Sequence, residues 1–454
     1  MASLDASGAA ARDPREIVLR SPMSSAQRLA VALCCAMLAI DGYDLVAVTF
    51  AMPGIGAEWG TSKAMLGALF SIGIIGMAGG CLVLGPLADS IGRRPMALAS
   101  LTLLTASMAF SALAPDMTQL MVWRFITGAG VGALVSVAYP LSVEYSNIQS
   151  RPITLALMVI SFPLGSAVCG LIASELIAVF GWRAAFIPGV VLPPLVILLS
   201  LRWLPEPLGL LIEKPRPSSL KRVNSYLKSI GQSPVESLPP PTHQGRTPIG
   251  RVFGKEFLRT TIYLSAIYCF YTLTAYFLLA WLPQIVTDLG FSPAVATTVS
   301  VATNIGGVLG APITGFAIRK LGVFRVLATL LMGMGAAVFV VGIAPADINL
   351  LRILGVIAGM FVFGPIVGLT LLIAENYPVE VRATGMGFIV GISRWVAAIG
   401  PLVGGVLISS RLGITGSCIL MGIAGFVAAG LLTQFHIIGR RARPDAMSAE
   451  VARH

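Results

Sequence analysis

Residues 65–94 read MLGALFSIGIIGMAGGCLVLGPLADSIGRR, and they decide the class of the molecule. From Met65 to Ala88 there is no charged residue, a run of 24 positions. At 1.5 Å per residue a helix of that length spans roughly 36 Å, more than the ~30 Å hydrocarbon core of a bilayer. Charge returns immediately beyond it, at Asp89, Arg93 and Arg94, with Gly85 and Gly92 bracketing the turn. A charge-free helix that ends in a basic turn is the pattern of a membrane span meeting an aqueous face.

Working outward, the pattern recurs. Further charge-free intervals run from Pro95 to Pro115, Pro152 to Ser174, Ala184 to Leu201, Thr260 to Thr287, Leu289 to Ile318, Val326 to Ala346, Ile353 to Ala374 and Leu412 to Gly439. Three more spans are interrupted by charge: about 28–51 by Asp41 and Asp44, about 117–141 by Arg124, and about 383–408 by Arg394. The total is twelve. Composition agrees, since 56% of the 454 residues are apolar and only 11% charged, with 49 glycines and a mean hydropathy of +0.87. A soluble chain carries about a quarter charged residues. An ordinary soluble enzyme, a disordered chain and a nucleic-acid binder are excluded together, leaving an all-α, multi-pass membrane protein.

The net charge of +11 has a topological meaning. Counted with the N-terminus inside, 25 of the 31 Lys and Arg fall in cytoplasmic segments. Only Lys63, Arg183 and Arg411 fall outside, and Arg124, Arg352 and Arg394 within the membrane. That asymmetry predicts both termini in the cytoplasm. The first apolar run is long enough to span, so it is expected to stay as an uncleaved anchor. Cys34, Cys35, Cys81, Cys169, Cys269 and Cys418 all lie in apolar runs without metal spacing and read as small buried hydrophobes. No metal and no cofactor is expected.

The expected organisation is a tail over 1–27, a six-helix bundle over 28–204, a cytoplasmic linker over 205–256, a second six-helix bundle over 257–438 and a tail over 439–454. The linker is rich in proline and basic residues and reads as a connector and topology determinant, with contact to anionic lipid as the alternative. The halves repeat. Glu144 with Arg151 recurs as Glu375 with Arg382, Arg124 as Arg352, and Pro53 as Pro283, each about 230 residues on. Such a parallel repeat places a ligand site near the bilayer midplane between the bundles, with alternating access by rocking.

The turn Gly85-Pro86-Leu87-Ala88-Asp89-Ser90-Ile91-Gly92-Arg93-Arg94 resembles the loop signature of the major facilitator superfamily, with Ser90 at a place often basic. Its second-half equivalent, residues 315–322, has Arg319 where the aspartate would stand. Arg124 with Gly128, Gly130 and Gly132 resembles the fourth-span motif of that superfamily. Asp41-Gly42-Tyr43-Asp44 inside span 1 is similar to the aromatic acid:proton symporter family within it. The resemblance implies the twelve-helix fold of two pseudo-symmetric bundles, and a latching role for Asp89 and Arg93 in the outward-open state. It also implies an aromatic carboxylate of benzoate or hydroxybenzoate type as cargo.

The buried charges carry the mechanism. Even on insertion scales a charge at the bilayer centre costs about 3 kcal/mol, so an idle one is not expected there. Helical rise puts Asp41, Asp44 and Arg124 at one level, roughly 20–24 Å from the cytoplasmic face. Asp41 and Asp44 share one helical face and do not both ionise cheaply in a poorly solvated site, so one is expected to carry a proton. Arg124 supplies the charge that favours its release. His243, His436 and His454 are not central, which leaves the carboxylates as proton carriers. Arg394, near the midplane of the second bundle, matches a cargo carboxylate by its bidentate geometry. Trp395, Tyr268 and Tyr271 are candidate ring contacts, against the alternative of simple packing. Glu144 with Arg151, and Glu375 with Arg382, read as inner-gate ion pairs or as surface pairs of little worth.

The expected function is uptake of an aromatic carboxylate with protons, by a monomer in a bacterial-type inner membrane that binds no nucleic acid. The rivals are a proton symporter of a non-aromatic organic anion and a proton-coupled exporter of drugs or metabolites. An intramembrane aspartyl protease needs its two aspartates on different helices, whereas these two share one, so an enzyme is not expected.

Overall fold

The structure is a computed structural model that describes residues 13–213, 217–240 and 249–441. A short helix α1 (Pro14–Arg20) precedes six spanning helices: α2 (Ser25–Trp59), α3 (Lys63–Ile91), α4 (Arg93–Ala112), α5 (Met117–Tyr145), α6 (Arg151–Phe180) and α7 (Ile187–Trp203). Two short helices follow, α8 (Leu208–Glu213) and α9 (Ser219–Ser229). The second six are α10 (Leu258–Asp288), α11 (Pro293–Leu321), α12 (Val323–Ile343), α13 (Ile348–Asn376), α14 (Val379–Ser409) and α15 (Gly413–Arg441). Among the described residues, twelve helices are long and apolar enough to cross a membrane.

Some helices extend past their charge-free intervals, α6 on to Phe180 beyond Ser174 and α13 from Ile348 before Ile353, because the first and last turns, at the interface, tolerate charge. Helix starts are set by matched caps in the two halves. Ser62 and Ser292 each accept from a backbone N–H of the first turn of α3 and α11. Asp116 and Asp347 do the same for α5 and α13. Gly92 and Gly322, with φ of 121° and 80°, make the equivalent turns into α4 and α12. This register corrects one sequence landmark. Arg124 lies eight residues after its capping aspartate, and eight residues after Asp347 stands Gly355, not Arg352. Arg352 is instead one turn into α13, exposed, with Nε donating to Thr298 Oγ1 at 3.1 Å.

Within each half, the tightest pairs are α3 with α5 and α11 with α13. A Cβ on Gly76 would strike the carbonyl of Phe125, and one on Gly359 the carbonyl of Thr303, so these backbones approach as only small residues allow. Between halves, α3 packs on α14 and α6 on α11, two contacts that exchange under the repeat.

The segment after α7 is more than a connector. Ile212, Val223 and Leu227 are fully buried. Tyr145 Oη donates to the Pro205 carbonyl at 2.5 Å, Arg94 donates to the Leu201 carbonyl at 2.8 Å, and a Cβ on Gly209 would lie 3.2 Å from Glu144 Oε2. Linker helices α8 and α9 are docked beneath the first bundle, on the face where α1 also sits through Ile148 N–H to the Leu19 carbonyl at 2.9 Å.

Candidate functional site

The Asp41–Asp44 segment is held in place by α6 and by the turn before α7. A Cβ on Gly42 would collide with the Phe162 carbonyl, and Ser166 Oγ donates to the Gly42 carbonyl at 2.6 Å. Tyr43, 1% exposed, sends its hydroxyl to the Ala185 carbonyl at 2.5 Å. The glycine and tyrosine of the motif are therefore anchors, and they fix the direction of the two carboxylates.

Asp44 is neutralised. Arg124 Nη1 donates to Asp44 Oδ1 at 2.8 Å and Nη2 to Oδ2 at 3.2 Å, with a further contact of 3.3 Å to the Asp44 carbonyl. The two side chains are 3% and 6% exposed. They line a cavity of about 20 Å³ together with Asp41, Phe70, Ile74 and Met77. That is room for one water and not for an aromatic ring.

Asp41 is in a different position. It is 5% exposed, has no hydrogen bond or ion pair to a described residue, and has Arg394 and Asp44 as its electrostatic neighbours. Arg394, half-buried, places Nη1 2.8 Å from Met77 Sδ, across the boundary between the bundles. A thioether is a weak acceptor, so the guanidinium keeps most of its donor capacity. Met77 also lines the small cavity, which makes it the side chain joining the Asp44–Arg124 site to Arg394.

The aromatic candidates separate. Tyr268, 8% exposed, is within electrostatic reach of Arg394 and meets Tyr271 edge-on at 5.7 Å between centroids. Tyr271 spends its hydroxyl on the Val362 carbonyl at 2.7 Å, so it supports α13 and offers the chamber no polar group. Trp395 is 47% exposed on an outer stripe with Ile392, Ile399, Leu402 and Val406, which removes it from the chamber, because successive residues of a helix point about 100° apart. Two tyrosines missed in the sequence take its place. Tyr139 on α5 and Tyr276 on α10 both lie within electrostatic reach of Asp41 and Arg394. Their signal in the sequence was weak, since an aromatic in a span is ordinarily packing.

The gating pairs also differ from expectation. Arg93 pairs with Glu144, so Arg151 does not; Arg151 leaves a buried Nε unpartnered. Sequence spacing favoured Arg151, but the α3–α4 turn brings Arg93 under α5. Glu375 is exposed and Arg382 turns its Nε to the Tyr377 carbonyl at 3.4 Å, so this pair does not form either. Asp89 is in the last turn of α3 and its side chain lies outside the described residues. A pair not anticipated joins the bundles at the end away from the linker: Lys63 at the start of α3 with Asp288 at the end of α10, whose Oδ1 also accepts from Gln284 at 2.9 Å. At the same end Trp281 donates to the Pro401 carbonyl at 3.0 Å, and a Cβ on Gly67 would strike that carbonyl.

Comparison with known proteins agrees with this architecture. A family model described as Major Facilitator Superfamily matches residues 32–284 and 264–448. The chain is 30% identical over 426 residues to a gallate transporter of Pseudomonas putida, covering 92% of this chain and 93% of that one. It is 31% identical to the 4-hydroxybenzoate transporter PcaK of Pseudomonas putida, over 87% of this chain and 89% of that one. A benzoate transport protein of Acinetobacter baylyi is 25% identical, over 92% and 91%. Among solved structures, a D-xylose-proton symporter superposes with a TM-score of 0.69 at 15% identity, covering 89% of this chain and 97% of that one, a likeness of fold.

Proposed function

The chain belongs to the major facilitator superfamily, and on that premise we propose that it imports an aromatic carboxylate of benzoate or hydroxybenzoate type together with protons. The family and the relatives compared above are transporters, so the chain is a multi-pass membrane transporter and not an enzyme. The observation that carries the finer reading is the unequal fate of the two cations. Arg124 gives both of its Nη groups to Asp44, whereas Arg394 has Asp41 as an electrostatic neighbour across the bundle boundary and, among the described residues, the Met77 thioether as its hydrogen-bond partner.

The chemistry follows from charge balance. A cargo carboxylate takes the guanidinium of Arg394 in bidentate fashion. Asp41 then loses its counter-charge in a poorly solvated place and takes up a proton. Cargo and proton are thereby bound together, and release of either one favours release of the other. Asp44, held by Arg124, is the second protonatable position in the same small cavity. At the end of Lys63 and Asp288 the bundles are closed on each other, with Gly67 of α3 against the Pro401 carbonyl and Gly405 of α14 against the Lys63 carbonyl. The excess of Lys and Arg at the opposite end makes that opposite end cytoplasmic in a bacterial inner membrane. We read the conformation as closed to the outside and propose the monomer as the working unit.

The test is uptake of labelled 4-hydroxybenzoate into vesicles bearing the protein, with and without a protonophore and with aliphatic acids as competitors. Protonophore-sensitive uptake that succinate and acetate do not inhibit supports the proposal. Competition by aliphatic acids moves the chain to the non-aromatic anion symporters, and uptake unchanged by the protonophore removes proton coupling.

A further inference from the structure

The second bundle carries a polar pair that nothing above uses. Ser300 and Asn304 stand one helical turn apart on α11, 5% and 1% exposed. The Asn304 amide nitrogen donates to the Ser300 carbonyl at 2.9 Å, but Asn304 Oδ1 and Ser300 Oγ are buried without a partner. An unpaired buried polar atom is costly, and native structures keep few without a use. Asn304 and Ser300 thus present two such atoms side by side.

Their direction is set by the packing of α11. Its outer stripe is Ile305, Leu309, Ile313 and Phe316, 43–62% exposed. Gly306, Gly307 and Gly310 face α13 at Val356, Phe363 and Met360, and Val301 faces α6 at Gly170. With about 100° between successive residues, Ser300 and Asn304 fall between the α13 side and the α6 side, opposite the outer stripe. They face the middle of the molecule, where α11 also meets α2 and α10, the helices of Asp41 and Tyr268. The repeat gives their depth. Counted from the matching caps Ser62 and Ser292, Ser300 corresponds to Phe70 and Asn304 to Ile74, two residues that line the Asp41–Asp44–Arg124 cavity. The first half is apolar at these positions and the second half is polar.

We propose that Ser300 and Asn304, on the α11 face turned to the middle of the molecule, are specificity-determining residues that hydrogen-bond a hydroxyl on the ring of a cargo whose carboxylate is held by Arg394. Asn304 Oδ1 accepts the proton of the ring hydroxyl, and Ser300 Oγ donates to its oxygen. This rests on the reading of Arg394 as the carboxylate site. A site built to pair a hydroxyl discriminates strongly against the analogue that lacks one, because its own polar atoms are then left unpaired.

The experiment compares 4-hydroxybenzoate, 3-hydroxybenzoate and unsubstituted benzoate in vesicles bearing the wild type, Asn304→Leu, Ser300→Ala and, separately, Arg394→Gln. Asn304→Leu is expected to raise KM for at least one hydroxylated acid by about tenfold or more. Its KM for benzoate should stay unchanged or fall, and Ser300→Ala should do the same to a lesser degree. A proportionate loss for all three acids, or none for any, overturns the assignment, the first because the pair would then be structural. Arg394→Gln should impair all three acids alike. If it impairs none, the carboxylate reading has failed, whereas an Asn304→Leu that keeps the wild-type preference among the three acids, beside an inactive Arg394→Gln, refutes the ring-hydroxyl assignment alone. Melting of each purified variant identifies any that has lost its fold, and Asn304→Asp or Asn304→Ser, which keep an acceptor, should then restore the preference.

Discussion

Replacing Arg124 by glutamine leaves Asp44 without its counter-charge in a cavity with room for one water at most, and the structure allows the cost to be worked out. Asp44 loses two carboxylate hydrogen bonds, of 2.8 and 3.2 Å, from a partner that is 97% buried by its 3% exposure. Breaking one side of such a pair costs about 3–5 kcal/mol. The double variant Asp44→Asn with Arg124→Gln removes both charges and should recover most of the loss. The assay is the apparent melting midpoint of the purified protein in detergent. A single variant as stable as the wild type, or a double variant as unstable as the sum of the singles, would refute the claim that this pair is a desolvated, mutually dependent unit.

Three further outcomes are expected. Gly42→Ala forces a Cβ into the Phe162 carbonyl and should lower stability by about 1–3 kcal/mol, read as a drop in melting midpoint, whereas the same change at Gly391, with open space around it, should be nearly neutral. Arg394→Lys keeps the charge but not the planar fork, so KM for the acid should rise about tenfold while kcat changes less, measured by initial uptake rates. Lys63→Cys with Asp288→Cys, bridged by a short reducible bis-methanethiosulfonate reagent, should stop uptake and regain it on reduction; uptake that persists in the cross-linked protein would show that this seam does not need to open.

The twelve spans, the repeat and the level of Asp41, Asp44 and Arg124 were legible because each depends on local quantities: apolar length, capping residues and helical rise. Asp44 and Arg124 do meet, since charges at one depth among apolar helices have few other partners. What failed needed rotation about a helix axis or the path of a turn. Trp395 follows Arg394 in the chain, but one residue of helix turns it through about 100° to the outer surface. Tyr271 was read as a candidate ring contact, yet the Val362 carbonyl that takes its hydroxyl belongs to a helix ninety residues away. Arg93 displaced Arg151 as partner of Glu144 because the turn at Gly92, with φ of 121°, swings the basic pair beneath α5. Ser300 and Asn304 carried a readable signal, two polar residues one turn apart in an apolar helix, whose meaning appears only when the halves are superposed.

Coupled capture of cargo by Arg394 and of a proton by Asp41 is tested most directly by recording lumenal pH in vesicles while 4-hydroxybenzoate is supplied outside. For the wild type, lumenal acidification should track labelled uptake and exceed that of protein-free vesicles; in Asp41→Asn the acid should still equilibrate but no longer accumulate against its gradient under an imposed pH difference. Accumulation by Asp41→Asn equal to that of the wild type would contradict the account.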